Sequence, residues 1–241
     1  MKKAVVVLSG GLDSTTCAAL AREAGYELYP LTFDYGQRHR VELGAARKIA
    51  AYYGAADRHK IVRLDFFRDF GGSALTDDSI AVPERPDGAV PDDEIPVTYV
   101  PGRNLIFLSV AVSYAETIAA EAVYIGVNAL DYSGYPDCRP EFVRSFEQTA
   151  ALATKAGVGG RPVRIETPLV RMTKADIVRE GVRLGVPFEL TWSCYKGGDA
   201  PCGVCDSCLL RRKGFAEAGV RDPLEDKAGA SYGVGDSGLR P

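Results

Sequence analysis

Four cysteines lie within fifteen residues of one another near the C-terminus, in the pattern C-x7-C-x2-C-x2-C. Four thiolates are enough to close a tetrahedral Zn²⁺ site without a water ligand, which is typical of a structural zinc site. The intervening KGGDAPCGVCDSC carries glycines and a proline that suit a chain wrapped around a metal. The predicted zinc ligands are Cys194, Cys202, Cys205 and Cys208.

Two other uses of these cysteines are less consistent with the sequence. Disulfides are disfavoured if the protein is cytosolic, because clustered cysteines in a reducing compartment are more often metal ligands. A redox-active C-x-x-C pair would leave the other clustered cysteines unexplained. The two remaining cysteines, Cys17 and Cys138, stand apart from the cluster, and Cys138 is assigned no catalytic role.

The second candidate site is the string SGGLDS, which follows a short apolar run and precedes a predicted helix. Glycines there let a backbone approach an anion, and the amides and dipole of a helix start favour phosphate. A carboxylate beside phosphates requires a cation between them, and Mg²⁺ carried by a nucleotide is the natural one. The residues expected to bind the phosphates are Leu8, Ser9, Gly10, Gly11, Leu12, Asp13, Ser14 and Thr15.

Other phosphate-binding motifs do not fit this string. It lacks the lysine of G-x-x-x-x-G-K-[ST] and the third glycine of the dinucleotide fingerprint. A plain Gly-Gly turn between a strand and a helix is the competing interpretation. The complete string, however, resembles the PP-loop S-G-G-x-D-S of the N-type ATP pyrophosphatases, which implies ATP binding, attack on the α-phosphate and release of pyrophosphate.

Alternating apolar and helical segments predict the scaffold that positions these residues. Residues 3–8, 27–35 and 59–66 read as strands, and 13–24 and 38–53 as the helices between them. Two more strands are expected within 122–128 and 161–169, and helices over 104–120, 140–156 and 173–185, the last with Thr173 as N-cap and Asp176 at N3. This pattern predicts a doubly wound, Rossmann-like α/β fold with a five-stranded parallel sheet.

The predicted domain organisation is one α/β domain with a small appendage. Residues 1–190 form the PP-loop domain, with a long lid-like loop over 66–100 that is rich in Gly, Pro and Asp. Residues 191–220 form a helical zinc-binding subdomain. The Gly-rich segment 226–241 is predicted to be disordered.

Composition favours a small substrate over nucleic acid. The chain has 241 residues, 46% of them hydrophobic, and a net charge of −3 from 29 basic and 32 acidic residues, so no global charge attracts a phosphate backbone. The N-terminal apolar run AVVVL is too short for a signal-peptide core, and no other run approaches a membrane span. These features predict a cytoplasmic protein.

Six segments resemble one family over nearly the whole chain, to about residue 220. They are SGGLDS, FDYGQRH (33–39), VPGRN (100–104), GVNALDYSGYPDCRPEF (126–142), TPLVRMTKADIV (167–178) and TWSCY with the cysteines that follow. Together they are similar to the 7-cyano-7-deazaguanine synthases, the QueC family. The resemblance implies an ATP-dependent carbon–nitrogen ligase of queuosine-type 7-deazapurine biosynthesis, which converts 7-carboxy-7-deazaguanine and ammonia into the nitrile and works as a homodimer.

The implied chemistry requires cationic side chains. Adenylation turns a carboxylate oxygen into a leaving group, ammonia then gives the amide, and a second activation gives the nitrile. Negative charge develops on phosphate in both steps. The candidate catalytic residues are Asp13, Lys174 at a predicted helix start, and Arg103 in PGRN. The competing interpretation of both cations is a solvated surface charge.

Recognition of the base is expected in LDYSGYPDCRPEF, after the fourth predicted strand. A guanine-like base presents an exocyclic amine and a ring N–H, which one carboxylate can accept together. The candidates are Asp131 and Asp137 as acceptors, with Tyr132 and Tyr135 as stacking surfaces. The same residue types also favour ordinary turns, so each has a turn-forming interpretation too.

Three alternative functions remain open from the sequence. A tRNA-modifying thiolase or ligase of the same superfamily should show a basic face and a sulfur-carrying cysteine. A glutamine-dependent synthetase needs a glutaminase domain, for which 241 residues leave no room, so ammonia is free or delivered by a partner. A zinc-stabilised nucleotide-binding module would bind ATP without consuming it. Neither histidine, His39 or His59, has an evident Ser or Asp partner for a hydrolase triad.

Overall fold

The computed structural model describes residues 1–88, 95–129 and 134–225. Within them, five parallel strands form one sheet of order β3-β2-β1-β4-β5. The strands are β1 (Lys2–Val7), β2 (Tyr26–Asp34), β3 (Lys60–Arg63), β4 (Ala122–Ile125) and β5 (Arg164–Glu166). The helices are α1 (Leu12–Glu23), α2 (Val41–Tyr52), α3 (Phe66–Phe70), α4 (Arg103–Thr117), α5 (Pro140–Ala153), α6 (Lys155–Val158), α7 (Lys174–Arg183) and α8 (Asp206–Ala218).

The sheet is buried on both faces, because successive side chains of a strand point to opposite sides. On β1, Val5 and Val7 pack in one core with α4 and α5, whereas Ala4 and Val6 pack in a second core with α1, α2 and α7. The predicted doubly wound α/β fold with a five-stranded parallel sheet is therefore confirmed. No helix among the described residues is long and apolar enough to cross a membrane.

The strand order reverses beside β1, which pairs with β2 on one side and β4 on the other. The chain runs from β1 outward to β3 and then returns to place β4 on the other side. In open parallel sheets, ligands bind outside the carboxyl ends of the strands at such a switch point. The fold therefore puts the string that follows β1 at the preferred ligand site.

The segment predicted as a long loop is only partly irregular. It begins with α3, a short helix whose Phe67 packs under the sheet edge with Tyr35 and Phe107. Periodicity could not reveal this helix because it is only five residues long. Further along the segment, Ala74 and Val82 are buried. The predicted disordered tail, 226–241, lies outside the described residues.

Candidate active site and metal centre

A cavity of about 270 Å³ opens at the carboxyl ends of the central strands, near the lower end of the range for small-molecule sites, about 300–1,000 Å³. Its wall combines the predicted phosphate loop, the start of α4, the start of α7 and the segment before the cysteine cluster. The polar residues that line it include Ser9, Asp13, Ser14, His39, Glu42, Arg103, Asn104, Asn128, Lys174, Ser193 and Arg211, and the aromatic ones Phe33, Tyr35, Phe107, Tyr135, Trp192 and Tyr195.

The phosphate loop is held by its own hydroxyl groups. Ser9 Oγ lies 3.0 Å from Ser14 Oγ and accepts from the Gly11 amide at 3.2 Å, while Thr15 Oγ1 donates to the Gly11 carbonyl at 2.7 Å. Gly11 is the N-cap of α1 and supplies no capping side chain. The first amides of a helix have no intrahelical acceptor, so those at the start of α1 can receive an anion.

Gly10 allows helix α2 to pack directly on this loop. Its φ is +92°, and a Cβ atom there would lie 2.4 Å from the Glu42 carbonyl oxygen and 2.7 Å from the Ala46 nitrogen. On its other side, the Gly10 carbonyl accepts from the Trp192 amide at 2.9 Å. The loop is thus fixed between α2 and the chain that leads to the cysteines.

Lys174 and Asp13, two of the predicted catalytic residues, form a close ion pair in the cavity wall. Lys174 Nζ lies 2.8 Å from Asp13 Oδ1 and 2.7 Å from Oδ2, and the two side chains are 14% and 28% exposed. The capping box predicted at Thr173 and Asp176 is confirmed and starts α7 at Lys174. A partly buried ammonium group is therefore held at the phosphate loop.

Helix α8 supports the stem of this lysine. A Cβ atom on Gly214 would lie 2.4 Å from Lys174 Cγ and 2.9 Å from its Cβ. The methylene groups therefore pass directly over a helix backbone, which leaves little freedom for the ammonium to move. Gly214, on the helix that begins at the cysteine cluster, thus sets the position of Lys174 at the phosphate loop.

We expect Gly214→Ala to lower both stability and turnover. The added methyl overlaps the root of the Lys174 side chain, and overpacking of this kind costs about 1–3 kcal/mol. That corresponds to a melting temperature lower by roughly 2–12 °C at this chain length. Displacement of the ammonium should lower kcat by about tenfold or more.

The matched control for this variant is Gly44→Ala in α2, where the new Cβ would meet no atom within 4 Å. Its melting temperature should stay at or slightly above that of the original chain, because alanine favours helix over glycine. Its kcat should be unchanged. Equal behaviour of the two variants in thermal melts and turnover assays would contradict the packing role of Gly214.

Arg103 sits in an aromatic box at the start of α4. Its guanidinium lies 5.8 Å from the ring centres of Tyr35 and Tyr135 and 5.9 Å from that of Phe107, and Nη1 lies 3.4 Å from the Tyr35 hydroxyl. Burial lowers its pKa, but the neighbouring Tyr35, Tyr135 and Asp137 together raise it above the usual value. The box therefore holds a permanent cation against rings that also line the cavity.

Asp137 occupies a different place from the one expected of a base-recognising residue. It is buried, is not among the residues that line the cavity, and accepts from the Asn104 amide at 2.8 Å. Burial raises the pKa of this carboxyl, and the Asn104 amide and Arg103 oppose the shift. Its carboxylate caps the start of α4, where the N-cap Gly102 has no side chain to do so.

The other three predicted substrate residues have different outcomes. Tyr135 lines the cavity, and its hydroxyl lies 3.0 Å from Thr98 Oγ1. Asp131 and Tyr132 lie outside the described residues.

Cys138 also lines the cavity, where burial raises the pKa of its thiol to about 12. The thiol therefore stays protonated and is no nucleophile near neutral pH.

Sequence reasoning missed two cavity residues at the start of α2, His39 and Glu42. His39 Nε2 lies 3.4 Å from Glu42 Oε2, although no Ser or Asp partner was evident for the histidine in the sequence. The signal that could have found them is their i, i+3 spacing at a predicted helix start, which brings two side chains together.

The cysteine cluster has the composition and spacing of a metal site. The sulfur atoms of Cys194, Cys202, Cys205 and Cys208 all lie within 4.8 Å of one another. Tetrahedral zinc with bonds of about 2.3 Å needs sulfur atoms about 3.8 Å apart, so a small closure of the cluster suffices. Hydrogen bonds from the thiols of Cys205 and Cys208 lower the pKa of Cys194, which favours the thiolate that a metal requires.

The 71–88 part of the predicted lid-like loop packs on this cluster. Ala74 and Val82 are buried against Cys194, Cys205 and Cys208. The Arg85 amide donates to the Val204 carbonyl at 2.8 Å, and Arg85 Nε lies 3.3 Å from Asp206 Oδ1. The cysteine cluster therefore joins residues 71–88 to residues 194–208.

The comparisons with known protein sequences agree on one family. The family model described as queuosine biosynthesis protein QueC matches residues 3–219. The 7-cyano-7-deazaguanine synthase of Anaeromyxobacter sp. (strain Fw109-5) is 61% identical over 224 residues, which cover 92% of this chain and 95% of the relative. The enzyme of that name from Saccharophagus degradans is 59% identical over 225 residues, covering 92% and 96%.

A solved structure supports the fold alone. A 4-thiouridine synthetase in complex with RNA and bound ATP matches with a TM-score of 0.50 and 20% identity, covering 95% of this chain and 54% of that one. The family model, by contrast, spans most of the chain, and the two relatives are more than half identical over nearly their whole length. The chain belongs to the QueC family of queuosine biosynthesis proteins.

Proposed function

We propose that this chain is an ATP-dependent 7-cyano-7-deazaguanine synthase. It adenylates the carboxylate of 7-carboxy-7-deazaguanine, replaces the adenylate with ammonia to give the amide, and adenylates the amide oxygen, which then leaves with AMP as the nitrile forms. Family membership and the named relatives support the reaction. No observation in the described residues favours the thiolase or the non-catalytic module over it.

The observation that carries the proposal is that one cavity joins a phosphate-binding end to an aromatic, cationic end. The phosphate end has the loop after β1 and the Asp13–Lys174 pair, and the other end has the box around Arg103. Adenylation requires the α-phosphate and the carboxylate at one place, because effective concentration supplies much of the rate. A planar base fits between aromatic rings.

At the phosphate end, the amides of α1 and the Ser9 and Ser14 hydroxyls bind the phosphates. Lys174 stabilises the charge that develops on the α-phosphate as pyrophosphate leaves. Asp13 holds Lys174 in place at 2.7 Å and is the residue that can bind the Mg²⁺ of the nucleotide. Bound Mg²⁺ would neutralise phosphate charge there, whereas the geometry of the Asp13–Lys174 pair is set by the chain itself.

At the other end, Arg103 receives the substrate's carboxylate, and Tyr135 and Tyr35 flank the base. The fixed charge of Arg103 orients the carboxylate before adenylation. Asp137 orients this end indirectly, through the start of α4. The zinc held by the four cysteines is structural, because four thiolates leave no position open for substrate.

The experiment that tests the proposal is incubation of the purified protein with ATP, Mg²⁺, ammonium and 7-carboxy-7-deazaguanine, followed by mass spectrometry of base and nucleotide. The expected products are the nitrile, AMP and pyrophosphate. An unchanged base with ATP consumption that does not depend on it would overturn the assignment and send the search to other carboxylates.

We further propose a cytoplasmic homodimer that uses free ammonia. Leu152 and Val158 are 81% and 79% exposed on the adjoining helices α5 and α6, and such apolar side chains often lie in contacts between subunits. None of the six cysteines forms a disulfide, as a reducing compartment allows. Light scattering should give twice the 25.9 kDa chain mass.

A further inference from the structure

A buried histidine–glutamate pair in the cavity wall is not used by the adenylation chemistry above. The side chains of His39 and Glu42 are only 5% and 10% exposed. Gln37 Nε2 donates to Glu42 Oε1 at 2.8 Å and so fixes the carboxylate. Among the described residues, the buried His39 Nδ1 has no hydrogen-bond partner. A buried ring nitrogen without a partner is costly and points to a ligand that completes it.

The pair lies beside the phosphate loop. The Glu42 carbonyl oxygen would be 2.4 Å from a Cβ atom on Gly10, so the first turn of α2 touches the loop itself. The titratable groups that face the pair are Tyr35, from the end of β2, and Tyr195, whose ring centre is 5.7 Å from that of His39. Both tyrosines also line the cavity, so the pair faces the same cavity as the phosphate loop.

The proposed reaction creates a specific need for a base at this place. Ammonia in neutral water is almost entirely ammonium, which has no lone pair to attack a carbonyl. All four of its protons must leave the nitrogen before a nitrile exists: one to free the lone pair, one as the amide forms, and two as the amide is dehydrated. A proton acceptor beside the nitrogen therefore serves both half-reactions.

We propose that His39 and Glu42 form the ammonium subsite and the proton acceptor of this enzyme; the inference rests on the function proposed above. Glu42 Oε2, 3.4 Å from His39 Nε2, favours the neutral tautomer with its proton on Nε2 and so leaves the Nδ1 lone pair free. The same carboxylate stabilises the imidazolium once Nδ1 has taken a proton. Ammonium gives one proton to Nδ1, and its lone pair then forms the C–N bond.

Loss of AMP then completes the amide. The C–O bond to AMP breaks, AMP leaves with the electron pair, and the nitrogen releases its surplus proton through His39 to solvent. In the second half-reaction, the amide oxygen displaces pyrophosphate from ATP. The nitrogen then loses its two protons by the same route while the C–O bond to AMP breaks and the nitrile forms.

The experiment compares His39→Gln and Glu42→Gln in two assays that separate activation from amination. Exchange of labelled pyrophosphate into ATP, dependent on 7-carboxy-7-deazaguanine, reports adenylation without ammonia. Hydroxylamine is uncharged near neutral pH, so it attacks the adenylate without a base and gives a hydroxamate. We expect nitrile formation from ammonium to fall by about 10²–10⁴-fold, while exchange and hydroxamate formation stay within about threefold.

The outcomes distinguish this inference from the function on which it rests. If both variants lose exchange and hydroxamate formation in parallel with nitrile formation, or if ammonium-dependent turnover stays unchanged, the subsite is overturned and the pair is structural or idle. If the unsubstituted protein makes neither adenylate nor nitrile, the proposed function itself fails. Asp57→Asn, whose side chain is 73% exposed away from these groups, is the control and should match the unsubstituted protein in every assay.

Discussion

The Lys174→Met variant should lose about 10²–10³-fold in kcat for nitrile formation, because removal of one preorganised charge at a developing oxyanion costs that much. Lys174 Nζ is held at 2.7–2.8 Å from both oxygens of Asp13 and is 14% exposed. Water therefore replaces its charge poorly. Methionine keeps the length of the stem over Gly214 and removes only the ammonium.

The readouts for this variant are kcat and KM for ATP, with the melting temperature measured in parallel. If Lys174 served only to pair with Asp13, its replacement would change the melting temperature but leave kcat within about threefold. Lys155→Met is the matched control, since Lys155 is an exposed residue of the short helix α6. A kcat of Lys174→Met close to that of this control would show that the charge does not act on phosphate.

Features encoded by contiguous residues could be predicted from the sequence. The phosphate loop and the cysteine cluster each lie within a short stretch, so residue types and spacing carry most of their geometry. The capping box at Thr173 is equally local. The strands of the sheet could be predicted from short apolar runs, because a strand that is buried on both faces carries apolar residues at successive positions.

Features that depend on contacts between distant segments could not be predicted. Lys174 and Asp13 are 161 residues apart, and only the fold makes them a pair. The residue type of Asp137 suggests base recognition, yet its carboxylate accepts from the amide of Asn104, 33 residues earlier, and so caps the start of α4. The position of Lys174 against Gly214 likewise depends on how α7 and α8 pack, which no spacing reveals.

These distant contacts connect the metal centre to the phosphate site. Cys205 is the N-cap of α8, and Cys208 lies in its first turn. The same helix carries Gly214 against Lys174, and the segment before the cysteines donates from the Trp192 amide to Gly10. Zinc should therefore determine the position of both the lysine and the loop without touching the substrate.

Loss of the metal site should accordingly have the largest effect on stability. In Cys205→Ser we expect less than one zinc per chain and a melting temperature lower by roughly 10 °C or more. Apparent zinc binding in small zinc-dependent folds is worth about 10–16 kcal/mol, and each kcal/mol lost here lowers the midpoint by about 2–4 °C. Proteolysis should also become fast within 71–88, because Val82 and Ala74 pack on the cysteines.

Three measurements check this expectation without relying on activity: zinc content by elemental analysis, thermal melting, and the position of early protease cuts. Chelation of zinc from the unsubstituted protein under reducing conditions should reproduce the cleavage pattern, and added zinc should reverse it. Cys17→Ala, which removes a thiol buried in the core around α1, should keep its zinc and its protected 71–88 segment. If Cys205→Ser kept a full equivalent of zinc and stayed resistant within 71–88, the cluster would not be the element that holds the two segments together.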